Sequence, residues 1–426
     1  MTKNCRTMKQ SQLFVKISRE FPKDEASKSA QFLLRAGFID KLTAGVYTYL
    51  PLGLRVFEKI EMIIDSEMRS IGGQRVLMPS LVPRINWQIT GRWDRFDALY
   101  KLKGRNKLEY ALGATHEEVV VPLVKKYVSS WRDLPLAVFQ IQNKFRNEFR
   151  AKSGILRTRE FLMKDLYSFH RSEDDLDKFY QTVQRSYNNI FKKLGILSKT
   201  YLTLAPGGTF SKYSHEYQTI TSAGEDLVYF CSKCRVALNK ELIINKTKSE
   251  CWKCGRKLLE QYKSIEVANI FKLKEKYTKP FDFKFTDKDG KKKLVLMGCY
   301  GIGLGRLMGA VVEIHHDDLG IIWPRSIAPF EIHLLQIGDS KEVRKISEEI
   351  YRSLQKAGHE VIYDDRVQVT PGEKFIDCDL IGVPLRIVVS EKTLKKKSVE
   401  IKKRSQKKLE LVKVSHLLKY LEENGN

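Results

Sequence analysis

Residues 139–170, FQIQNKFRNEFRAKSGILRTREFLMKDLYSFH, contain two alternating patterns of apolar residues that are separated by a basic segment. The first pattern includes Phe139 and Ile141, and the second runs from Phe161 to Phe169. Alternation of this kind predicts β-strands. We therefore expect two antiparallel strands joined by a loop much longer than that of an ordinary hairpin. Long loops on a rigid sheet commonly carry functional residues.

The loop and the end of the first strand have the composition of an anion-binding site. Arg146 and Glu148 alternate with Phe145 and Phe149, so they share one face of the strand. An arginine guanidinium can hold phosphate or carboxylate with two parallel hydrogen bonds. The basic residues of the loop are Arg150, Lys152, Arg157 and Arg159. The pattern predicts a phosphate site, although a solvated hairpin with surface salt bridges has the same spacing.

The segments FRNE (145–148) and RTREFLMKDLYSFH (157–170) resemble motif 2 of the class II aminoacyl-tRNA synthetases, in the version of the bacterial-type prolyl-tRNA synthetases. The resemblance implies that Arg146 is catalytic and clamps the ATP α-phosphate and the substrate carboxylate. It also implies that Glu148 and Arg157 bind ATP and that Phe161 stacks on adenine. Arg150 would touch the acceptor stem of tRNA.

Size, charge and cysteine content limit the class of protein. A chain of 426 residues predicts two or three domains. The net charge of +25, from 76 Lys and Arg against 51 Asp and Glu, predicts a polyanionic partner. Nucleic acid is the simplest such partner, and a membrane surface is the alternative. No apolar run is long enough to span a bilayer. The N-terminus lacks the apolar core of a secretory signal. The seven cysteines, an odd number, are typical of a protein in a reducing compartment. We expect a cytoplasmic protein.

Residues 53–79 predict a helix followed by a short strand. A turn is expected at Pro51–Gly53, Gly72 would end the helix, and residues 76–78 would form the strand. Apolar residues recur with helical spacing at Phe57, Ile60, Ile64 and Met68. An ordinary amphipathic helix on a sheet explains this pattern. The segment also resembles motif 1 of the class II enzymes, which implies a homodimer.

The segment ALGATHEEVVVPLVKKYV (111–128) predicts a helix with acids in its first turn. Thr115 is a suitable N-cap for such a helix. The segment also resembles the Thr-x-Glu loop of the prolyl enzymes, which implies that Thr115 and Glu117 hold the substrate ammonium group. A buried cation needs a carboxylate partner, so the chemistry is consistent with that role. The same resemblance assigns Asp165 to the proline pocket.

Residues 205–218, APGGTFSKYSHEYQ, contain a Ser-His-Glu segment at 214–216. It resembles a segment of the prolyl enzymes in which the histidine lines the proline pocket, which implies that role for His215. Thr209 and Ser211 belong to the same segment. A hydrogen-bonded polar residue without a catalytic role is the alternative for His215.

Two CxxC pairs, Cys231/Cys234 and Cys251/Cys254, are separated by 16 residues. Such spacing predicts a structural zinc ion with four thiolate ligands. An iron–sulfur site and a redox CxxC are the alternatives. In many bacterial prolyl enzymes a large editing domain lies between motifs 2 and 3, and residues 218–263 are too few to form one. We therefore expect no editing in cis, so a separate trans-editing protein would have to clear mischarged tRNA.

The segment MGCYGIGLGRLMGAVVE (297–313) follows a strand predicted at 294–297 and contains closely spaced glycines. A Rossmann-type turn is the alternative, but no strand–helix–strand unit with a downstream acid accompanies it. The segment resembles motif 3 of the prolyl enzymes, which implies that Arg306 is catalytic and binds the ATP phosphates. Cys299 is interpreted as a packing residue.

After the two prolines of 321–330, alternating elements predict a small α/β domain with a mixed sheet. Strands are expected at 331–336, 359–363, 385–389 and 399–402, and a helix at 411–421. DDR, PGEKF and LIGVPLRIVV resemble the anticodon-binding domain of several class II synthetases. The basic run 395–408 is either a solvated face or a contact with the RNA backbone.

The resemblance covers residues 27–389 and predicts the fold class α/β (α+β). We expect an antiparallel-sheet catalytic domain at 1–325, a four-cysteine zinc knuckle inserted at 228–260, and an anticodon-binding domain at 326–426. The implied activity is ATP- and Mg²⁺-dependent attachment of L-proline to tRNA(Pro) through prolyl-adenylate. The alternatives are a class II synthetase for another amino acid, such as a threonyl enzyme with an open zinc site, and a non-catalytic tRNA-binding descendant.

Overall fold

The computed structural model describes residues 7–22, 25–105, 107–208, 213–243, 250–258 and 260–424. The chain divides into two compact units, one formed by described residues within 1–40, 48–59 and 312–426, the other within 41–47 and 60–311. The strands are β1 (Thr7–Lys9), β2 (Ile39–Thr43), β3 (Val46–Tyr49), β4 (Gln74–Arg75), β5 (Leu81–Pro83), β6 (Lys101–Lys103), β7 (Glu109–Leu112), β8 (Leu136–Phe145), β9 (Glu160–His170), β10 (Thr200–Pro206), β11 (Tyr213–Ile220), β12 (Asp226–Cys231), β13 (Val236–Asn239), β14 (Gln261–Lys274), β15 (Lys284–Thr286), β16 (Lys292–Leu294), β17 (Leu296–Gly303), β18 (His316–Asp317), β19 (Gly320–Ile321), β20 (Ile332–Ile337), β21 (Val361–Asp364), β22 (Leu385–Ser390), β23 (Ser398–Lys403) and β24 (Leu409–Lys413). The helices are α1 (Lys28–Arg35), α2 (Pro51–Ser70), α3 (Arg84–Ile89), α4 (Arg92–Arg95), α5 (Glu117–Lys125), α6 (Glu173–Lys193), α7 (Leu304–Ile314), α8 (Lys341–Lys356), α9 (Pro371–Ile381), α10 (Glu391–Leu394) and α11 (Leu417–Asn424).

The larger unit is built on a nine-stranded sheet with the order β11-β10-β13-β12-β14-β17-β9-β8-β4. Its centre is the long antiparallel pair β8–β9, in which Gln140 lies opposite Asp165 and Phe145 opposite Glu160. β17 pairs with β9, and β14 pairs with β17, again antiparallel. The predicted hairpin with a long connection is therefore present, and residues 146–159 form that connection.

Strand register separates the two faces of this sheet. One row of opposed residues contains Phe139, Leu166, Tyr300, Ile270 and His215. Helix α6 lies on this face, where Tyr180 Oη donates a hydrogen bond to the carbonyl of Ile270 (3.3 Å). The next row contains Gln140, Asp165, Gly301, Asn269 and Glu216. Because neighbouring residues of a strand point to opposite faces, this second row lies on the face away from α6.

The glycine-rich segment of motif 3 is a strand, not a turn. The strand predicted at 294–297 is too short, because β17 spans Leu296–Gly303 and α7 starts at the next residue. Glycine is disfavoured in strands, so its presence there indicates a close approach. A Cβ at Gly301 would lie 2.7 Å from Asn269 Oδ1, so a side chain there would displace the side chain of Asn269.

The motif 1 segment differs from its prediction at both ends. Pro51 is the first residue of α2, so the predicted turn at 51–53 is the first turn of the helix. Proline is suited to that position because its missing N–H would have no partner there. The helix ends before Gly72, whose φ of 85° requires the conformation that glycine tolerates. The predicted strand at 76–78 is wrong, because the strand is β4, Gln74–Arg75.

The smaller unit contains a six-stranded mixed sheet in the order β1-β21-β20-β22-β23-β24. β20, β21 and β22 are parallel, whereas β23 and β24 are antiparallel. The predicted α/β fold with a mixed sheet is confirmed. The PGEKF segment begins α9, where Thr370 and Glu373 form a capping box around Pro371. The helix predicted at 411–421 is wrong in its first half, since β24 extends to Lys413 and α11 starts at Leu417.

No helix among the described residues has the length and hydrophobicity needed to cross a bilayer.

Candidate active site

The two motif arginines line the same cavity on the face of the sheet away from α6. Arg146 follows β8, and its Nε donates to the carbonyl of Ala114 (3.3 Å). Arg306 lies in α7, and its Nη1 donates to the carbonyl and to a carboxylate oxygen of Glu266, at 2.8 and 3.2 Å. The cavity lining includes Arg146, Glu148, Arg157, Phe161, Met163, Glu266, Asn269, Gly301, Gly303 and Arg306. The cavity therefore places two guanidinium cations, those of Arg146 and Arg306, near the aromatic ring of Phe161.

Electrostatic repulsion between these arginines prepares the cavity for an anion. Burial and the nearby charge of Arg306 lower the pKa of Arg146. The Arg146 guanidinium lies 5.2 Å from the ring centroid of Phe161, and the backbone N–H of Arg146 donates to the carbonyl of Arg159 (2.8 Å). Phosphate oxygens placed between the arginines would relieve the repulsion. An adenine ring could stack beside them on Phe161.

The long connection carries the remaining ATP-site predictions. Arg157 donates to Glu148 Oε2 from Nε (3.1 Å) and Nη2 (2.8 Å), and from Nη1 to Glu225 (3.2 Å). Its hydrogen bond with Glu148 is the main cause of its raised pKa. Arg150 is exposed and does not line this cavity. Its guanidinium lies 5.9 Å from the ring of Phe149, which is 90% exposed.

Thr115 and Glu117 lie together at the start of α5. Thr115 Oγ1 donates to Glu117 Oε2 (2.5 Å), and Cys299 Sγ donates to Oε1 of the same carboxylate (3.4 Å). Glu117 is fully buried. The predicted capping role of Thr115 is wrong, because the N-cap residue is His116, whose side chain makes no capping hydrogen bond.

Asp165 lies beneath this loop in a buried hydrogen-bonded network. Its carboxylate lies 2.9 Å from Lys144 Nζ and accepts hydrogen bonds from Tyr167 Oη (2.9 Å) and Gln140 Nε2 (3.0 Å). Lys144 Nζ also donates to His116 Nδ1 (2.8 Å), and the backbone N–H of His116 donates to Tyr167 Oη (3.0 Å). Burial and the charge of Lys144 lower the pKa of His116 to about 4. The network therefore fixes the loop that carries Thr115 and Glu117.

His215 is not brought together with these residues. It lies on the α6 face, where its Nδ1 is 2.8 Å from Tyr180 Oη. Glu216, the next residue, lies in the row of Asp165 and Asn269. Burial and the charge of Glu266 raise the pKa of Glu216 to about 8. The assignment of His215 to the proline pocket stays a prediction that this placement does not support, and Thr209 and Ser211 lie outside the described residues.

Sequence reasoning missed the participation of Lys144, His116, Glu266 and Asn269. Asn269 Nδ2 donates to Glu266 Oε1 (2.9 Å), and both residues line the cavity. They lie in β14, next to β17 in the sheet but far from motif 2 in the sequence. A polar pair within an apolar strand was the signal available in the segment EVANIF (266–271).

The four cysteines of the knuckle form a cluster suited to a metal ion. All four Sγ atoms lie within 4.8 Å of one another, and Cys231 Sγ lies 3.8 Å from Cys254 Sγ. Four thiolates at about 2.3 Å from a tetrahedral zinc ion would be about 3.8 Å apart. Trp252, between two of them in sequence, has its ring 5.3 Å from the His215 ring and donates from Nε1 to the carbonyl of Ala237 (2.9 Å). The cluster thus fits the metal and packs on β11 and β13.

Comparison with known proteins defines the class. The model of the tRNA synthetase class II core domain (G, H, P, S and T) matches residues 100–315, and that of an anticodon binding domain matches residues 326–424. The chain therefore belongs to the class II aminoacyl-tRNA synthetases. A proline–tRNA ligase of a Wolbachia species from Brugia malayi is 36% identical over 426 residues, covering 97% of this chain and 99% of the relative. The chain is a member of the prolyl-tRNA synthetase family.

Two further relatives describe its architecture. The proline–tRNA ligase of Dehalococcoides mccartyi strain 195 is 32% identical over 558 aligned positions, covering 96% of this chain and 98% of the relative. Because 558 exceeds 426, that relative contains at least 132 positions absent from this chain. The crystal structure of prolyl-tRNA synthetase from Cryptosporidium parvum, complexed with halofuginone and AMPPNP, has a TM-score of 0.76 and 21% identity, covering 93% of this chain and 79% of that one. The latter supports the fold alone.

Proposed function

We propose that the chain attaches L-proline to tRNA(Pro) in two steps that share the cavity of Arg146 and Arg306. In the first step, a carboxylate oxygen of proline attacks the α-phosphorus of ATP, and the bond to pyrophosphate breaks. In the second, a ribose hydroxyl at the 3′ end of tRNA attacks the prolyl carbonyl, and AMP leaves with the bonding electrons. Two arginines lining one cavity are the observation that carries the proposal.

The residues of the cavity would act mainly by positioning and by electrostatic stabilisation. Arg146 would contact both the α-phosphate and the proline carboxylate, while Arg306 would neutralise phosphate charge. Phe161 would stack on adenine, and Glu148 with Arg157 would bind the nucleotide. Magnesium ions, which neutralise phosphate charge when bound, would be held beside ATP by carboxylates of this cavity such as Glu148 and Glu266.

The amino group of proline would bind at Thr115 and Glu117. Glu117 is a buried carboxylate within the electrostatic range of Arg146, so an amino acid could bind Arg146 with its carboxylate and Glu117 with its ammonium group. Asp165 would act indirectly, because its contacts hold the 115–117 loop rather than open to the cavity. This pairing of opposite charges distinguishes an amino acid from a simple carboxylic acid.

Transfer RNA is the proposed macromolecular partner, in the cytoplasm. The net charge of +25 supplies attraction to a polyanion. Exposed Phe149 and Arg150 could contact the acceptor stem by stacking and by charge. The domain that matches the anticodon-binding model contains the basic run 395–408.

The cysteine cluster would hold a structural zinc ion and take no part in the reaction. Four thiolates complete a tetrahedron, so no position is left open for substrate. This closed ligand set is unlike the open zinc site expected of a threonyl enzyme. Retention of Arg146, Glu148 and Arg306 also disfavours a non-catalytic descendant.

A homodimer is proposed from exposed apolar side chains close to motif 1. Isolated apolar residues on a surface are normal, but a concentration of them indicates an interaction surface. In residues 77–102 such side chains are Leu77, Leu81, Ile85, Ile89 and Leu102. Sedimentation at micromolar concentration tests the dimer.

We also propose that the chain does not edit in cis. The described part of residues 218–263, which lie between motifs 2 and 3, contains the end of β11, the strands β12 and β13, the cysteine knuckle and the start of β14. A small apolar pocket rejects one missing methylene by only about 1–3 kcal/mol. The purified chain should therefore form alanyl-tRNA and leave it intact, so that clearance would need a separate protein. Stoichiometric hydrolysis of added alanyl-tRNA by the chain alone would contradict this.

The experiment that tests the main proposal is ATP–pyrophosphate exchange with proline. Proline should support exchange, and Arg146→Ala should abolish it while leaving thermal unfolding unchanged within a few degrees. Exchange by Arg146→Ala at the wild-type rate would refute the role of this arginine.

A further inference from the structure

Arg92 lies buried against two carboxylates at the start of α5. Its Nη1 lies 3.0 and 3.1 Å from the two oxygens of Glu118 and 3.3 Å from Glu117 Oε2. Arg92 is 6% exposed, and both glutamates are 0% exposed. Thr90 Oγ1 donates to Glu118 Oε1 (2.8 Å). The guanidinium therefore bonds mainly to Glu118 and only marginally to Glu117.

Aromatic rings surround this group. The Arg92 guanidinium lies 4.4 Å from the ring centroid of Phe96, 5.5 Å from Trp87 and 5.6 Å from Tyr277. Aromatic faces stabilise a cation but also exclude water. Charges in such a site must be balanced locally, because an unpaired buried charge is costly.

The formal charges of the cluster do not cancel. Two carboxylates face one guanidinium, so one negative charge remains. The neighbouring Lys144–Asp165 pair is balanced, and His116 stays neutral near pH 7 because its pKa is about 4. Burial and the charge of Glu117 raise the pKa of Glu118 despite Arg92, as expected when one cation is missing. Arg146 also lies within the electrostatic range of Glu117, but the proposed function assigns it to the substrate carboxylate. Without Arg146, the amine site lacks one positive charge.

We infer that Arg92 and Glu118 are positioning residues that set the charge of the amine site, so that it accepts one substrate ammonium group. Glu118 holds the guanidinium, which leaves Glu117 available for the amine of the bound amino acid. The inference rests on the proposed function of Glu117. The inference predicts that the substrate is a zwitterion with one cationic amine. A cyclic carboxylic acid without that charge should not bind.

The pair can be tested by changing its charge in two ways. Glu118→Gln frees Arg92 to pair with Glu117, so the site becomes neutral before proline binds. Hydrogen bonds to charged groups contribute about 1.5–3 kcal/mol, so the KM for proline should rise about tenfold or more. Arg92→Gln should also raise it, because the two buried carboxylates then share a proton and Glu117 no longer carries a full negative charge. The double variant Arg92→Gln/Glu118→Gln leaves one negative charge, that of Glu117, in the amine site. It should recover most of the proline affinity, and a merely structural role of the pair would not produce such a recovery.

The assay is proline-dependent ATP–pyrophosphate exchange by the full chain, with KM measured separately for proline and ATP. The KM for ATP should change by less than about threefold, since this pair does not line the nucleotide cavity. The matched controls are Asp174→Asn and Lys178→Gln, which remove an exposed ion pair of α6, and both KM values should stay at wild-type levels.

Three outcomes separate the hypotheses. Wild-type protein without proline-dependent exchange would reject the proposed function itself. If the wild type is active but the losses of proline affinity add up in the double variant, this inference alone is rejected. The same follows if Glu118→Gln leaves the KM for proline unchanged. If Arg92→Gln fails to fold, the isosteric Glu118→Gln carries the test, with Arg92→Lys expected to retain proline affinity within a few fold.

Discussion

Replacing Lys144 by methionine should strongly destabilise the larger unit. Lys144 is fully buried, and its ammonium group lies 2.9 Å from Asp165 Oδ1 and 2.8 Å from His116 Nδ1. Methionine conserves most of the volume and removes the charge. Asp165 would then remain buried, with hydrogen bonds only from Tyr167 and Gln140.

The size of the effect follows from the unpaired carboxylate. Removing one partner of a buried ion pair costs about 3–5 kcal/mol. For a unit of this size, about 4 kcal/mol corresponds to a fall of about 10 °C in Tm. Asp165→Asn leaves the ammonium group unpaired and is also destabilising. The double variant Lys144→Met/Asp165→Asn should be more stable than additivity predicts by about 2 kcal/mol, because neither charge remains.

Urea and thermal unfolding of the four proteins at pH 7.5, followed by circular dichroism, would measure this coupling. Lys178→Met is the matched control: Lys178 pairs with Asp174 on the surface of α6, where both side chains are about three-quarters exposed, and the change should be within about 0.5 kcal/mol. Equal stability of Lys144→Met and wild type, or strictly additive losses, would refute the interpretation of the network.

The remaining predictions concern catalysis, pH and metal. Arg306→Ala should reduce proline-dependent exchange at least about 100-fold with little change in Tm, and exchange at the wild-type rate would contradict its role. His333 is fully buried, donates from Nε2 to Gln10 Oε1 (2.9 Å), and has a pKa lowered to about 4 by burial. Since the unfolded imidazole has a pKa of about 6.5, the unfolded state binds more protons between these values. The free energy of unfolding should fall by up to about 3 kcal/mol as the pH drops from 6.5 to 4, and His333→Gln should flatten this dependence in urea titrations; an unchanged slope would exclude His333 as a source. The purified chain should contain about one zinc ion, measured by elemental analysis, and Cys251→Ser should lose most of it; a metal-free wild type with native stability would reject the zinc site.

Local patterns predicted the secondary structure best where one face of an element is buried. Alternation located the central strands β8 and β9. Only the first residues of β17 were predicted as a strand, because the glycines that follow have low strand propensity. A side chain at Gly301 would displace that of Asn269, which lies on a strand distant in sequence.

The site could be predicted only in part for a similar reason. The resemblance to motifs 2 and 3 assigned Arg146 and Arg306 to one ATP site, and in the structure both residues line one cavity. It could not distinguish His215 from Glu216, since the pairing of β11 with β14 decides which of these neighbours faces the site. The buried partners of Asp165 were also missed, because their contacts depend on tertiary structure.

The most direct test of the account is ATP–pyrophosphate exchange by the purified chain with each of the twenty amino acids in turn. We expect exchange to be fastest with proline and weaker with small analogues such as alanine. Exchange that is fastest with a different amino acid, or none with any of them in the presence of ATP and magnesium, would contradict the assignment of this cavity to prolyl-adenylate formation.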